Sequence, residues 1–109
     1  MGTWREVMKH IVIFTIPRMY KSISDQLLLG ICDHVNCRTK RDRTVFEIDE
    51  KDIYIEIRPG DIVKSGGLRP THVLFKGCSS KFAAEWNYNM SGRFEEINSM
   101  DDLIKMVIS

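Results

Sequence analysis

Two strand-like stretches, separated by a loop that can be neither helix nor strand, constrain this chain more than any other feature. Ile53, Ile55 and Ile57 alternate with Tyr54, Glu56 and Arg58, the period of two that turns one face of a strand to a core. Further on, Thr71-His72-Val73-Leu74-Phe75 is a short, mostly apolar run, as expected of a strand covered on both faces. Between them stand Pro59-Gly60, Gly66-Gly67 and Pro70, which interrupt any regular element. A third run, His10 to Ile16 (HIVIFTI), is apolar or β-branched after its histidine. It predicts the central strand, ended by Pro17, which has no N–H to give a ladder.

The intervening stretches have helical periodicity or turn chemistry. Thr3-Trp4-Arg5-Glu6 has the form of a capping box and predicts a lead-in turn of helix. Ile23, Leu27, Leu28, Ile31 and Val35 form one apolar stripe, which predicts a helix from about Lys21 to Val35 with Ser22 or Ser24 as its cap. Gly30 inside it marks a close approach to the sheet. Asn36 offers a C-cap, Cys37 to Arg43 reads as a basic connection, and Thr44 to Asp49 as a strand pairing antiparallel with the one at Ile53.

Ser79-Ser80 caps a helix from Lys81 to about Asn87, since Phe82 and Trp86 share a face. Asn89 to Gly92 then reads as a turn and Arg93 to Ile97 as a short strand. Ser99 caps a C-terminal helix with Leu103, Ile104, Val107 and Ile108 inward. The order is β-α-β-β-β-α-β-α. It describes one α/β domain over residues 1–109, a mixed sheet of about five strands with helices packed on it, α+β being the alternative class. Ile11, Ile13, Phe14, Ile31, Ile55, Val73 and Phe75 are the expected core, where Phe75→Ala should cost about 3–5 kcal/mol.

At 109 residues with 43% hydrophobic and 28% charged side chains, the chain has the composition of a globular protein with one core. A formal net charge of +1 gives no global attraction to nucleic acid or membranes. No apolar run approaches the roughly 20 residues needed to span a bilayer. No small-residue cleavage site follows Ile16, so no signal peptide is expected. Cys32, Cys37 and Cys78 are accordingly read as reduced thiols in a cytoplasmic protein.

The run IVIFTIPRMYKSISDQLLLGI, a buried strand followed by a turn and an amphipathic helix, resembles the segment after the nucleotide loop in phage terminase large subunits and related helicase-like, RecA-like ATPases. The hairpin TVFEIDEKDIYIEIRPGD, the loop GGLRP and the strand THVLF resemble the stretch leading to that family's second nucleotide motif. The resemblance covers roughly Ile11 to Trp86, most of the chain. Neither nucleotide motif is present. No G-x-x-x-x-G-K-[ST] occurs, and Lys76 and Gly77 stand where the family carries the acids that hold Mg²⁺ and activate water. The resemblance therefore implies a reduced, non-hydrolysing descendant encoded by a phage or prophage, with no cofactor.

The residues themselves offer four candidate chemistries. Cys32, His34 and Cys37, with His72 or Cys78, have the donor atoms for zinc, but C-x-H-x-x-C matches no common zinc site; no metal is expected. Cys78 precedes a capped helix, where a thiol's pKa falls, yet His72 shares a strand face with Leu74 and Lys76 and stands well back along the chain from Cys78, so their side chains are expected far apart and a structural cysteine is the better reading. Glu47, Asp49, Asp52 and Glu56 gather on the hairpin and read as a solvated edge defended by charge rather than a nuclease centre. The run Arg38, Lys40, Arg41, Arg43 can neutralise phosphates, and Lys64, Leu68, Arg69, Lys76 and Lys81 could extend the surface with further cations and an apolar anchor. The sequence thus predicts a non-catalytic binding module contacting a protein or nucleoprotein partner through a basic loop, with no membrane. A weak, non-specific nucleic-acid-binding protein and a small hydrolase or nuclease are the alternatives.

Overall fold

The computed structural model describes residues 9–60, 69–90 and 93–109. A six-stranded sheet runs through it in the order β2-β3-β4-β1-β5-β6. β1 (Lys9–Thr15) lies at its centre, parallel to β4 (Ile53–Pro59) on one side and to β5 (His72–Phe75) on the other. β6 (Glu95–Ile97) adds in parallel beyond β5. β3 (Val45–Ile48) returns antiparallel along β4, and β2 (Arg38–Lys40) pairs antiparallel with β3. The sheet is mixed and the class α/β, with one strand more than the sequence predicts.

That strand is β2, in the segment read as a connection. All three of its residues are exposed, so it has none of the apolar alternation by which strands are recognised. Cross-strand charge holds it instead, with Arg38 and Lys40 paired to Glu47 on β3 at 3.2 and 3.1 Å.

The pleat gives the two faces different partners. On one face Ile11, Ile13, Phe46, Ile55, Leu74 and Ile97 pack under α1 (Tyr20–Leu27) and α3 (Met100–Ile108). On the other, Val12, Phe14 and Val73 pack under Phe82, Trp86 and Met90 of α2 (Ser80–Met90), which runs through Asn89 where a turn was expected. Side-chain caps form as expected at Ser79, which accepts from Phe82 N, and at Ser99, which accepts from Asp102 N. None forms at the start of α1, where a 3-10 turn at Pro17–Met19 leads directly into the helix.

The first helix also ends earlier than its apolar stripe predicts. After Leu27 it widens into a π-helical turn, Leu28–Cys32, and Cys32 is joined to Cys37 by a disulfide. Only Cys78 is a free thiol, which corrects the reading of three reduced cysteines. Gly30 marks a close approach, but to a helix rather than the sheet: a Cβ there would stand 2.6 Å from Ile104 Cδ1 of α3.

Six of the seven expected core residues are at most 3% exposed. The exception is Phe75, which is only half-buried. It sits at the last position of β5, stacked on Phe14 and edge-on to Phe82, with one flank open at the end of the strand. The expected lead-in helix at Thr3 lies outside the described residues, as does all of the loop from 61 to 68.

Candidate functional site

In an open α/β sheet ligands usually bind beyond the carboxyl ends of the strands, where the strand order reverses. Here that place is packed shut. Gly60 N donates to Thr15 O and Lys76 N to Phe14 O, which carries the β1 ladders with β4 and β5 one rung past the strand ends. A Cβ on Gly60 would lie 2.7 Å from Cys78 Cβ, and one on Gly77 would lie 2.6 Å from Met19 Sδ. Gly77 also has φ +81°, a conformation that favours glycine. Thr15 Oγ1 is sealed beneath them without a hydrogen-bond partner among the described residues.

The opening is displaced sideways, to the space between α1 and the β2–β3 turn. A cleft of about 430 Å³ lies there, lined by Tyr20, Lys21, Ser24 and Asp25 of the helix and by Arg41, Asp42, Arg43 and Thr44 of the turn. The turn is unusual. Arg41, Asp42 and Arg43 have φ of 52°, 56° and 62°, three successive non-glycine residues in the left-handed region. Each costs roughly 1–2 kcal/mol relative to ordinary backbone. Thr44 holds the turn closed, its hydroxyl donating to Arg41 O at 2.7 Å and its amide reaching Lys40 O and Arg41 O.

The nine candidates for the basic surface separate on this framework. Arg38 and Lys40 belong to β2 and are occupied by Glu47, Arg38 also by Asp49 at 3.0 Å. Arg41 and Arg43 are exposed and make no ion pair with a described residue. Lys76 lies past the end of β5, on the same carboxyl edge of the sheet. Arg69 is at the opposite edge, two residues before Thr71, which bonds His10 at the start of β1. Lys64 and Leu68 lie outside the described residues. Lys81 on α2 lies at the carboxyl edge as well, which also gains Arg18 and Lys21 after β1. Lys21 is partnered by Asp25 at 3.2 Å.

The acids do not form one solvated group. Asp49 is exposed, but Glu56 is 6% exposed on β4, on the face that α2 also covers. Its Oε1 meets His10 Nε2 at 2.9 Å and its Oε2 meets Arg58 at 3.3 Å. Burial pushes the Glu56 carboxyl up, but the His10 hydrogen bond and the Arg58 charge outweigh it and hold the pKa below the usual carboxylate value. The ring of Tyr54 stands edge-on to His10 at 5.2 Å, and burial, with Glu56 next in weight, raises its phenol. Residues 10 and 56 are 46 positions apart, so only the β1–β4 register reveals this pair. The sequence carries no signal of it, because Glu56 stands with Tyr54 and Arg58 at the polar positions of the alternation.

His72 and Cys78 stand at opposite ends of β5. His72 is held by Thr71 Oγ1 at 2.8 Å and Glu95 at 3.4 Å. Burial raises the Cys78 thiol above its ordinary value, against the pull of backbone hydrogen bonds from its own amide and that of Lys76. At neutral pH it is therefore the protonated, weakly nucleophilic form. The disulfide removes Cys32 and Cys37 as thiolate ligands, and no group of three or more His, Cys, Asp or Glu side chains is placed to hold a metal ion among the described residues. No helix among them is long and apolar enough to cross a membrane. Comparison of the chain with protein-family models, curated proteins and solved structures found no match.

Proposed function

We propose that this protein is a binding module without catalytic activity of its own, and that the carboxyl edge of its sheet meets the phosphates of a nucleic acid or nucleoprotein partner. The observation that carries this reading is the turn at Arg41–Arg43. Two arginines with no ion partner among the described residues are displayed there by a backbone in three successive left-handed conformations. Strain of this kind persists where the surroundings enforce it, and it clusters at ligand-binding positions. Glycine would relieve it, yet none of the three residues is glycine. Arg18, Lys76 and Lys81 extend the same edge, and guanidinium groups suit phosphate oxygens because their planar forks donate two hydrogen bonds at once.

The resemblance to terminase-type ATPase cores belongs to the same proposal: a phage- or prophage-encoded descendant that kept the sheet and a nucleic-acid contact and lost the nucleotide motifs. Lys76 and Gly77, beyond the end of β5, would then mark the positions of the lost acids.

Electrophoretic mobility shift with short single- and double-stranded DNA and RNA tests the reading. Binding should be sequence-tolerant and should fade as salt rises from about 50 to 200 mM, since each neutralised phosphate releases counterions. Arg41→Gln with Arg43→Gln should weaken it strongly, whereas Arg38→Gln should weaken it little, because Arg38 already serves Glu47 and Asp49. Absence of any shift up to about 100 µM protein, looser than ordinary non-specific affinity, would rule out the nucleic-acid contact. A salt-tolerant complex with a protein, indifferent to both arginines, would move the interface elsewhere.

A further inference from the structure

Little holds β2 to the rest of the molecule. It is the outermost strand on its side of the sheet, three residues long and exposed throughout. Arg38, Thr39 and Lys40 bring no apolar side chain to the core. A three-pair ladder fixes it along β3, with the ion pairs of Arg38 and Lys40, whose side chains are 63% and 55% exposed. Exposed pairs of this kind contribute little. At its far end the three left-handed residues of the turn pull the other way, because releasing the turn relieves their strain.

The near end is tied by the disulfide. Cys37 stands immediately before Arg38, and its partner Cys32 ends the π-helical turn and packs against the main core. A cross-link over so short a separation shifts the balance between attached and released chain by on the order of thirtyfold in the chain-entropy account. Each left-handed residue sets roughly five- to thirtyfold against it. The bond is therefore of the size that decides whether β2 stays in place. It is also within reach, since Cys37 lines a surface cleft of about 230 Å³ with Asn36, Arg38, Glu47, Asp49 and Glu50. Three carboxylates against one guanidinium favour a neutral reductant there over an anionic one.

We infer that Cys32–Cys37 is a redox site which a dithiol reduces through Cys37, and that its reduction releases β2 and the arginine turn and so weakens the phosphate contact. One thiolate of the dithiol attacks Cys37 Sγ and breaks the Sγ–Sγ bond, and Cys32 leaves as a thiolate that takes a proton from water. The second thiol of the reagent, once deprotonated, displaces Cys37 from the mixed disulfide. The dithiol ends as a cyclic disulfide and the protein gains two thiols. Control of binding rests on the phosphate reading of the turn above; release of β2 does not.

Amide hydrogen exchange of the full chain, oxidised and in millimolar dithiothreitol, tests the release. The amides of Arg38–Lys40 and Thr44 should lose on the order of thirtyfold in protection, while those of β1, laddered on both sides, keep theirs. Cys32→Ser with Cys37→Ser should give the released state without reductant, and Cys78→Ser should leave the response intact. Fluorescence anisotropy with a short DNA strand at low salt should show binding about tenfold weaker after reduction, because ordering the released turn then draws on the binding energy. Reoxidation should restore it.

Equal protection in the two states, or a bond that dithiothreitol leaves intact in the folded protein, would overturn the switch. So would loss of protection that spreads to β1, which would make the disulfide a staple of the whole fold. Local release with unchanged DNA affinity would overturn its control of binding. If no strand binds in either state, the phosphate reading fails, and the exchange data still decide the redox site.

Discussion

Glu56 shows how much a single residue can depend on a partner far away in the sequence. Its carboxylate is buried on β4 and answered by His10 and Arg58. Glu56→Gln would leave His10 and Arg58 short of their acceptor and should cost about 1–3 kcal/mol in urea titration near neutral pH. The pH dependence follows from the direction of the shift. The folded pKa lies below the ordinary value of 4.5, so the stabilisation is present above that value and is lost as pH falls through the folded pKa. The wild type should therefore lose stability on acidification below about pH 4.5, and Glu56→Gln should lose less over the same range. Parallel acid curves would mean that the pair contributes nothing. Phe14 and Phe75 make a second contrast at this scale. Phe14, 3% exposed and packed on Phe82 and Trp86, should cost about 3–5 kcal/mol when changed to Ala. Half-buried Phe75 should cost clearly less, against the expectation from its apolar run. Denaturant midpoints for the two variants give that order directly.

At the scale of elements, three joints can be tested. The π-helical turn meets α3 at Gly30, where a methyl group would press on three atoms of Ile104 at 2.6 to 3.1 Å. Alanine is worth about 1 kcal/mol more than glycine in a free helix. The contact reverses that sign, so Gly30→Ala should destabilise. Ile104→Ala should cancel much of the added penalty, and a double-mutant cycle measures the coupling. The disulfide closes the joint between that turn and β2, with a sequence separation of 5. A loop so short gives about 2 kcal/mol in the chain-entropy account, so a reductant should lower stability by that order. Thiol titration of the unfolded, unreduced chain should find Cys78 alone; three thiols would refute the bond. The β2–β3 turn behaves in the opposite sense. Asp42→Gly should stabilise by about 1 kcal/mol, because glycine adopts the left-handed region without strain.

Among the described residues the sheet has helices on both faces, and Arg18, Arg41, Arg43, Lys76 and Lys81 gather at its carboxyl edge. That polarity reconciles a net charge of only +1 with a capacity for phosphate, since counterion release depends on local contacts rather than on the sum. With backbone packed over the end of β1 and a lysine past β5, no Mg²⁺-dependent ATP hydrolysis is expected. A phosphate-release assay with Mg²⁺–ATP checks this; turnover abolished by Lys76→Ala would contradict the binding-module reading.

The class of fold was legible because burial writes itself into local periodicity. The alternation at Ile53–Ile57, the apolar run at Ile11–Phe14 and the caps at Ser79 and Ser99 each specify an element from a few adjacent residues. The basic run was equally visible as composition. What the sequence could not display was anything set by pairing across distance. β2 has no apolar signature, and its cations pair across the ladder, Arg38 with the Glu47 opposite it and Lys40 with the same carboxylate on the diagonal. The same pairing occupies two of the four cations and leaves Arg41 and Arg43 free of ion partners among the described residues. The Glu56–His10 contact needs the β1–β4 register, and the cleft needs α1 to return beside a turn some twenty residues further along. Local sequence fixes which residues seek the core. Which polar groups meet, and which are left over for a ligand, depends on contacts between segments far apart in the chain, and those are made only when the sheet assembles.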